Sequence, residues 1–400
     1  MKIKWFKHLL ILFISGTLLT CIDPYSPDLD KFESLLVVNA ILTDAFRSNY
    51  VSLSCTTKEV DEEPAMVSGA LVLIRDDLGN NTTLYEVSEG IYKTDSIVFT
   101  GKTGRSYTLY IKTDKGEEYE SETCFMYPLQ DIDSIYFTKA QEIIDTEPHE
   151  GIRIFIDSKG ESDCKYYRWN FEEWWKFEIP YPKMYNYIND TTITEYGPIK
   201  KTCWTNNKSY EIIIKSTETE ISDPILFVAS DRSDRLTIQY CIQVSQFSIS
   251  KQEFEFWDHM KKINESGGDI FDKQPFQIYG NIHNINKPEE QVLGYFQVSG
   301  VKEQRRYITK NELSGLGLPD YQYECGKLEI GPLDFYDPAA VGPIPTLDQI
   351  YTWYTNSNLT FIWPMNYPGT NVKLVFVDPL CADCTLRGSL TKPDFWIDLN

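Results

Sequence analysis

A strict two-residue alternation runs through residues 166–179, YYRWNFEEWWKFEI, and an extended strand places such a pattern on two faces. One face carries Tyr167, Trp169, Phe171, Glu173, Trp175, Phe177 and Ile179. The other face carries Tyr166, Arg168, Asn170, Glu172, Trp174, Lys176 and Glu178. The first set is typical of a protein core and the second of a surface, so the segment predicts a long strand with one buried face.

The same β-favouring character continues along the chain, because segments rich in Tyr, Ile, Val, Thr and Phe alternate with turn residues. The sequences DLGN at 77–80 and DKG at 114–116 are typical of hairpin turns. Between them and around them we predict strands at 35–42, 50–55, 70–75, 83–86, 91–93, 106–113 and 118–122. This many short strands in so short a segment predicts an immunoglobulin-like β-sandwich over residues 34–127.

A second region is expected to begin at Pro128, which interrupts the strand pattern, and to extend over residues 128–400. We predict a larger all-β domain with one packed helix near residues 251–266. Ser250 and Glu253 have the spacing of a capping box at the start of that helix. Its apolar face is expected to carry Phe254, Trp257, Met260 and Ile263. The fold class is therefore expected to be mainly β.

The first twenty residues have the pattern of a secretory signal, with three lysines ahead of the apolar run 9–19. That run is shorter than the ~20 residues that a membrane-spanning helix needs. Cys21 follows directly, as in a lipoprotein signal, so we predict removal of residues 1–20 and acylation of Cys21. The alternative is an ordinary signal peptide followed by a disulfide cysteine. Residues 21–33, acidic and interrupted by proline, are expected to form a solvated tether.

The charge of the chain argues against a nucleic-acid partner. The formal net charge is −21, and it becomes −24 when the three lysines of residues 1–20 are removed. A surface of this sign repels both phosphate backbones and anionic lipid. We therefore expect attachment to a membrane through the lipid on Cys21 and not through basic side chains.

Nine cysteines are present, and acylation of Cys21 would leave an even number in an exported protein, which permits disulfides. The sequence does not determine their pairing. Cys55 and Cys124 could connect the ends of the predicted sandwich. Cys381 and Cys384 form a C-x-x-C in a loop, without a second such pair to complete a zinc site. Disulfides to distant partners are the favoured interpretation, with reduced or metal-bound thiols as the alternative.

The sequence contains no motif that indicates catalysis. There is no H-E-x-x-H, no G-x-S-x-G and no P-loop. Glu172 and Glu173 are adjacent, so a strand directs them to opposite faces and their spacing does not make an acid–base pair. We expect no catalytic residue, no metal and no cofactor, with an exported hydrolase built from scattered carboxylates as the alternative.

Aromatic residues at exposed positions are the best candidates for ligand binding. Trp174 lies among charged residues on the outer face of the predicted strand, where an indole can stack on a sugar or contact a peptide. A second aromatic group, Tyr351, Trp353 and Tyr354, follows the Pro- and Gly-rich loop 331–345. The alternative for both groups is that neighbouring strands or loops cover the rings.

Several segments resemble one family, the lipoproteins with domain of unknown function 4249. They include CIDPYSPDL, VSGALVLIRDDLGN, GRSYTLYIKTDKGEEYES, DIDSIYF, YYRWNFEEWWKF, KTCWTN, QYCIQVSQFSIS and CADCTLRGSLTKPDFW, in this order along the chain. The resemblance implies an outer-membrane lipoprotein encoded near TonB-dependent receptors, with Cys21 as the acylated residue. It also implies structural disulfides among Cys203, Cys325, Cys381 and Cys384.

These observations together favour a non-catalytic binding or accessory lipoprotein. It would be anchored in the outer membrane, on the cell surface or alternatively on the periplasmic face. Its partner would be a TonB-dependent transporter, and its ligand a peptide or glycan. The competing hypotheses are the exported hydrolase and a structural surface adhesin, which would have no binding pocket and no transporter partner.

Overall fold

The computed structural model describes residues 34–399 apart from 59–61, 96, 98, 159–163, 218–220, 266–279 and 339–341. The predicted signal, the acidic tether and Cys21 lie outside the described residues. Most of the described secondary structure is strand, so the prediction of a mainly β fold is confirmed. Within the described parts of the chain, no helix combines the length and apolar character needed to cross a membrane.

The N-terminal strands are β1 (Leu36–Thr43), β2 (Tyr50–Cys55), β3 (Ala65–Met66), β4 (Leu71–Asp76), β5 (Asn81–Ser88), β6 (Ile91–Lys93), β7 (Ser106–Lys112), β8 (Glu118–Ser121) and β9 (Cys124–Phe125). The middle strands are β10 (Ser134–Ile144), β11 (Glu147–Ser158), β12 (Tyr166–Glu178), β13 (Tyr185–Asn189), β14 (Thr192–Glu195), β15 (Thr202–Lys208), β16 (Ile213–Ser216), β17 (Ile221–Ala229) and β18 (Gln239–Ser248). The last strands are β19 (Ile282–Asn284), β20 (Leu293–Ser299), β21 (Val301–Thr309), β22 (Leu328–Ile330), β23 (Thr360–Met365) and β24 (Lys373–Val377). The helices are α1 (Lys251–Glu265), α2 (Lys310–Leu313) and α3 (Leu347–Asn356).

The N-terminal sheet has the strand order β19-β8-β7-β4-β5-β6-β2-β1-β20, with β3 on β2 and β9 on β7. All the strands predicted between residues 35 and 122 are present. The sheet also takes β19 and β20 from beyond residue 127, and β20 runs parallel to β1. Residues 34–127 therefore do not complete this sheet alone, and the more specific immunoglobulin-like arrangement stays a prediction.

The alternating segment forms β12 at the centre of a second sheet, with the order β15-β12-β18-β21 and β16 also on β12. Its odd-numbered side chains are buried and its even-numbered ones are partly exposed, as the alternation predicts. We call the partly exposed side the outer face of the five-stranded sheet. The buried side faces the sheet β10-β11-β17, and the two share one core that includes Trp169, Phe177 and Ile154.

Helix α1 covers one end of β12 and packs on β16 as well. The amide of Glu253 donates to Oγ of Ser250 over 3.0 Å, which is the first half of the predicted capping box. The second half is wrong, because the Glu253 carboxylate turns inward and accepts from Nε1 of Trp257 at 3.1 Å. Burial against both sheets places this acid in the interior, where it is 2% exposed.

The C-terminal module, as we define it, consists of the β13–β14 hairpin, the sheet β22-β24-β23 and α3. Disulfides join Cys325 to Cys381 and Cys203 to Cys384, so each cysteine of the C-x-x-C bonds to a distant partner. The predicted disulfide residues are thus all bridged. The proposed Cys55–Cys124 bridge is wrong: both thiols are reduced. Cys55 ends β2 whereas Cys124 pairs on β7, and β4, β5 and β6 lie between these strands.

Candidate functional site

Trp174 lies on the outer face of the five-stranded sheet but is covered by the end of the chain. Its ring makes an edge contact with Phe395, at 4.8 Å between centroids. The guanidinium of Arg305 stacks on the Phe395 ring, 3.9 Å from its centroid. The hydroxyl of Tyr307 donates to the Phe395 carbonyl over 2.8 Å and fixes this segment on the sheet. The alternative interpretation therefore applies to Trp174, because a neighbouring segment covers its ring.

The second aromatic group is divided by the helix that carries it. Tyr351 stacks on Tyr187 with 4.5 Å between ring centroids, and Tyr354 packs on Phe376 at 5.3 Å. Both rings thus belong to the core of the C-terminal module. Trp353 points away from that core, with 48% of its surface exposed, and only Trp353 of the three keeps an open ring. Trp174 lies on the five-stranded sheet, whereas this group lies on α3, so the two sets of rings do not form one site.

A polar cleft of 290 Å³ lies where the β1–β2 turn meets the outer face of the five-stranded sheet. Its volume is near the lower limit of small-molecule pockets. The turn side is lined by Arg47, Ser48, Asn49 and Tyr50. The sheet side is lined by Asn170, Glu172, Lys208, Gln243, Ser245 and Glu303, among others. The cleft is therefore lined by residues of both the N-terminal sheet and the five-stranded sheet.

The charged side chains of the polar cleft are paired with one another. Nη1 of Arg47 lies 2.7 Å from Oε1 of Glu303, which also accepts from Oγ of Ser245 at 3.0 Å. Nζ of Lys208 lies 3.6 Å from Oε1 of Glu172. These four charges sum to zero, which makes the cleft locally neutral on an acidic protein.

Asn49 is the one side chain of the polar cleft that is both deeply buried and left with an unused donor among the described residues. It is 2% exposed, and its Oδ1 accepts from the Thr43 amide at 2.7 Å and from the Thr43 hydroxyl at 3.1 Å. These contacts fix the oxygen, because a rotated amide would set NH₂ against the Thr43 amide. Nδ2 has no hydrogen-bond partner there. A buried unpaired donor costs about 1–3 kcal/mol, and a ligand acceptor that displaced the cleft wall enough to reach Nδ2 would relieve this cost.

Other buried polar groups are satisfied internally and have structural roles. Asp234 accepts from Nε1 of Trp175 at 3.0 Å, from the Tyr323 hydroxyl at 2.9 Å and from Nη2 of Arg387 at 2.6 Å. It is 1% exposed. This cluster connects the five-stranded sheet to the segments around the C-terminal module, and burial keeps the carboxylate out of reach of a substrate.

Glu253 is the buried acid with the most perturbed protonation. Burial raises its pKa to about 8, while the nearby Arg168 and the Trp257 hydrogen bond act in the opposite direction. Arg168 lies over the Trp257 ring at 4.3 Å. Across the described residues, no group of three or more His, Cys, Asp or Glu side chains can hold a metal ion. Larger surface pockets exist, but we take the polar cleft as the candidate site because a buried side chain with an unpaired donor, Asn49, lines it.

The sequence did not identify this cleft, because Asn49 reads as an ordinary turn residue before a strand. The side-chain nitrogen Nδ2 is left unused because Oδ1 is held by Thr43. The backbone N–H of Asn49 donates to the Thr94 hydroxyl over 2.9 Å. Neither contact follows from a local pattern. Asn170 and Glu172 were placed correctly on an outer face, but the turn that covers them belongs to another sheet.

The model of the family described as domain of unknown function (DUF4249) matches residues 22–305. The chain belongs to the DUF4249 family. The match contains every residue that lines the polar cleft, whereas α3 and the sheet β22-β24-β23 follow it. Comparison with curated proteins gave no match. The cleft is thus a feature of the family's own segment of this chain.

Proposed function

We propose that this DUF4249 protein is a non-catalytic binding lipoprotein of the outer membrane, which presents a peptide or glycan to a TonB-dependent transporter. The observation that carries the binding role is the buried Asn49 amide at the polar cleft, with a fixed oxygen and an unused nitrogen. A binding site gains affinity from such preorganised donors, because their ordering cost is met during folding.

The pairing of the cleft carboxylates supports binding over catalysis. Glu303 contacts Arg47 and Glu172 contacts Lys208, so each carboxylate has a cation beside it. A carboxylic acid that serves as a general acid is typically found in an apolar or anionic environment, and neither cleft carboxylate has one. The cleft is better suited to fixed hydrogen bonds than to proton transfer.

The N-terminal segment supports the proposed anchor. The lysines and apolar run of residues 1–20 precede Cys21, and acyl chains on that cysteine would contribute about 0.8 kcal/mol for each methylene in the bilayer. The 13 residues from 21 to 33 can span at most roughly 45 Å. The folded regions would therefore stay within a short distance of the membrane and of any transporter in it.

The anchor is tested with Cys21→Ser, which removes the acylation site. We expect wild type in the outer-membrane fraction and the variant in the soluble fraction, with the same thermal unfolding for both. Cys55→Ser is the matched control and should stay with the membrane. If Cys21→Ser stays there too, in cells that lack the transporter, the anchor is not this cysteine.

The membrane face and the partner are tested separately. On intact cells, an added protease should degrade the protein if it faces outward and should spare it if it faces the periplasm. The transporter should co-purify with wild type from gently solubilised membranes. Repeated recovery of this chain alone, beside an intact transporter, would contradict the partnership.

A further inference from the structure

We infer that the polar cleft binds a short segment of an uncharged oligosaccharide. This inference rests on the proposed binding function and narrows its ligand class. Three properties of the cleft lead to it: its balanced charge, its mixture of hydrogen-bond donors and acceptors, and the way its strands are paired.

The balanced charge selects against charged ligands. Arg47 and Lys208 are already matched by Glu303 and Glu172. A ligand carboxylate would compete with Glu303 and Glu172 for these cations, and a ligand ammonium would compete with Arg47 and Lys208 for these carboxylates. A neutral ligand keeps both pairs and contacts the oxygens and nitrogens that still have hydrogen-bonding capacity.

The polar groups match hydroxyls. Nδ2 of Asn49 is a donor that requires an acceptor, and the amide of Asn170 and the hydroxyl of Ser48 offer donors and acceptors together. A sugar hydroxyl donates and accepts at one atom, so adjacent hydroxyls can serve both kinds of group. Tyr50 stands at the rim with 41% of its surface exposed, and its ring can cover the apolar face of a sugar ring.

The strand pairing selects against an extended peptide. Peptides commonly bind by adding a strand to an open sheet edge, with the main chain supplying the hydrogen bonds. Strands β12 and β18, which form the floor of the cleft, are each paired on both sides, and so are β1 and β2 at its wall. Lys208 and Glu303 come from the edge strands β15 and β21, and their side chains form the salt bridges with Glu172 and Arg47. The cleft thus presents mainly side chains from the face of a sheet.

The inference is tested with the full mature chain carrying Cys21→Ser, in solution and without membrane or transporter. The probes are an array of neutral oligosaccharides, their uronic-acid counterparts of equal length, and uncharged hexapeptides. We expect binding to at least one neutral oligosaccharide and weaker or no binding to the matched acidic chain. Affinity for that sugar is then measured by isothermal titration calorimetry.

Two substitutions locate the site. Asn49→Asp keeps an acceptor for Thr43 but replaces the unused donor with a charged oxygen, and it should weaken binding by about tenfold or more. Tyr50→Ala should weaken it by about tenfold through loss of the ring contact. Tyr336→Ala is the control, since Tyr336 is also an exposed tyrosine but lies between β22 and α3, outside the residues that line the cleft. It should bind as wild type does.

Each other outcome overturns the inference. Binding only to acidic oligosaccharides or peptides would assign another ligand class, and no binding to any neutral oligosaccharide would remove the proposed one. Unchanged affinity in Asn49→Asp would place binding elsewhere. If that variant unfolds at a lower temperature, Asn170→Ala tests the same cleft from its exposed side. Because no membrane takes part, failure here leaves the fractionation result for Cys21 intact.

Discussion

The N-terminal sheet encloses one continuous core, whereas the C-terminal module divides its core and adds covalent bonds. A single cluster of 19 buried side chains serves the N-terminal sheet, and both of its cysteines are reduced. In and around the C-terminal module the buried side chains form clusters of six and five, and a disulfide joins the segments before β22 and after β24. A small core contributes less stability, so cross-links matter more there.

The two regions are also attached to the five-stranded sheet in different ways. The N-terminal sheet is joined through β20, which continues after Gly300 into β21. The C-terminal segments are joined by the Cys203–Cys384 disulfide and by the buried Asp234 cluster. The first attachment comes from strands and their packing, and the second from specific polar and covalent contacts. Single substitutions should therefore affect the second attachment more.

The largest effect is expected for Asp234→Ala. It leaves Arg387, Tyr323 and Trp175 without their shared acceptor, and removing one partner of a buried pair costs about 3–5 kcal/mol of unfolding free energy. Urea unfolding measures the loss. Asp320→Ala is the control, because its pair with Lys310 is exposed and should contribute less than about 1 kcal/mol. Equal losses in both variants would refute the importance of the buried cluster.

The next effect is expected for the double substitution Cys325→Ala and Cys381→Ala. Loss of a native disulfide typically costs about 2–5 kcal/mol. Hydrogen exchange should accelerate in β22, β23 and β24 and stay unchanged in β1 and β2, because these regions have separate cores. Cys55→Ala, in the N-terminal sheet, should change the unfolding free energy by about 1 kcal/mol or less. Uniform acceleration over both regions would show that they unfold as one unit.

The comparison also shows what the sequence could predict. Strands with local patterns were located well: β2 and β6 have the predicted bounds, and β12 has the predicted faces. Features set by distant segments were missed, such as the addition of β19 and β20 to the N-terminal sheet. The cover of Trp174 by Phe395 and the unused amide of Asn49 belong to this second kind. Periodicity reports which face of a strand is buried, but not which segment buries it.

A pH-dependent effect is expected at Glu253, between the two large sheets. Its pKa is about 8 in the folded protein against an ordinary value of 4.5, because burial disfavours the charge. The folded state therefore keeps a proton that the unfolded state releases above pH 4.5, and the unfolding free energy falls as the pH rises from 4.5 to 8. Glu253→Gln should lack this fall, and relative to wild type it should gain about 2–4 kcal/mol between pH 5 and pH 9.

Denaturant unfolding of wild type and Glu253→Gln across that pH range measures the difference. Glu255→Gln is the control, since Glu255 is on the same helix but exposed. It should follow the wild-type profile. If Glu253→Gln also follows it, the acid is ionised in the folded protein, and its pair with Arg168 outweighs burial.

The smallest effect concerns the thiols, which test the contrast between the two regions directly. The Cys21→Ser chain should show four reactive thiols when it is unfolded without reduction, namely Cys55, Cys124, Cys164 and Cys241. In the folded protein, burial raises the pKa of Cys124 and Cys241 to about 12 and that of Cys164 to about 11. These thiols are therefore protonated at pH 8 and should react slowly. Cys55 is half-buried at the end of β2 and should react first, and Cys55→Ser should abolish this fast phase.

Eight reactive thiols in the unfolded, unreduced chain would contradict the C-terminal bridges. If no thiol reacts, the N-terminal sheet is cross-linked after all, and its single continuous core no longer explains its stability.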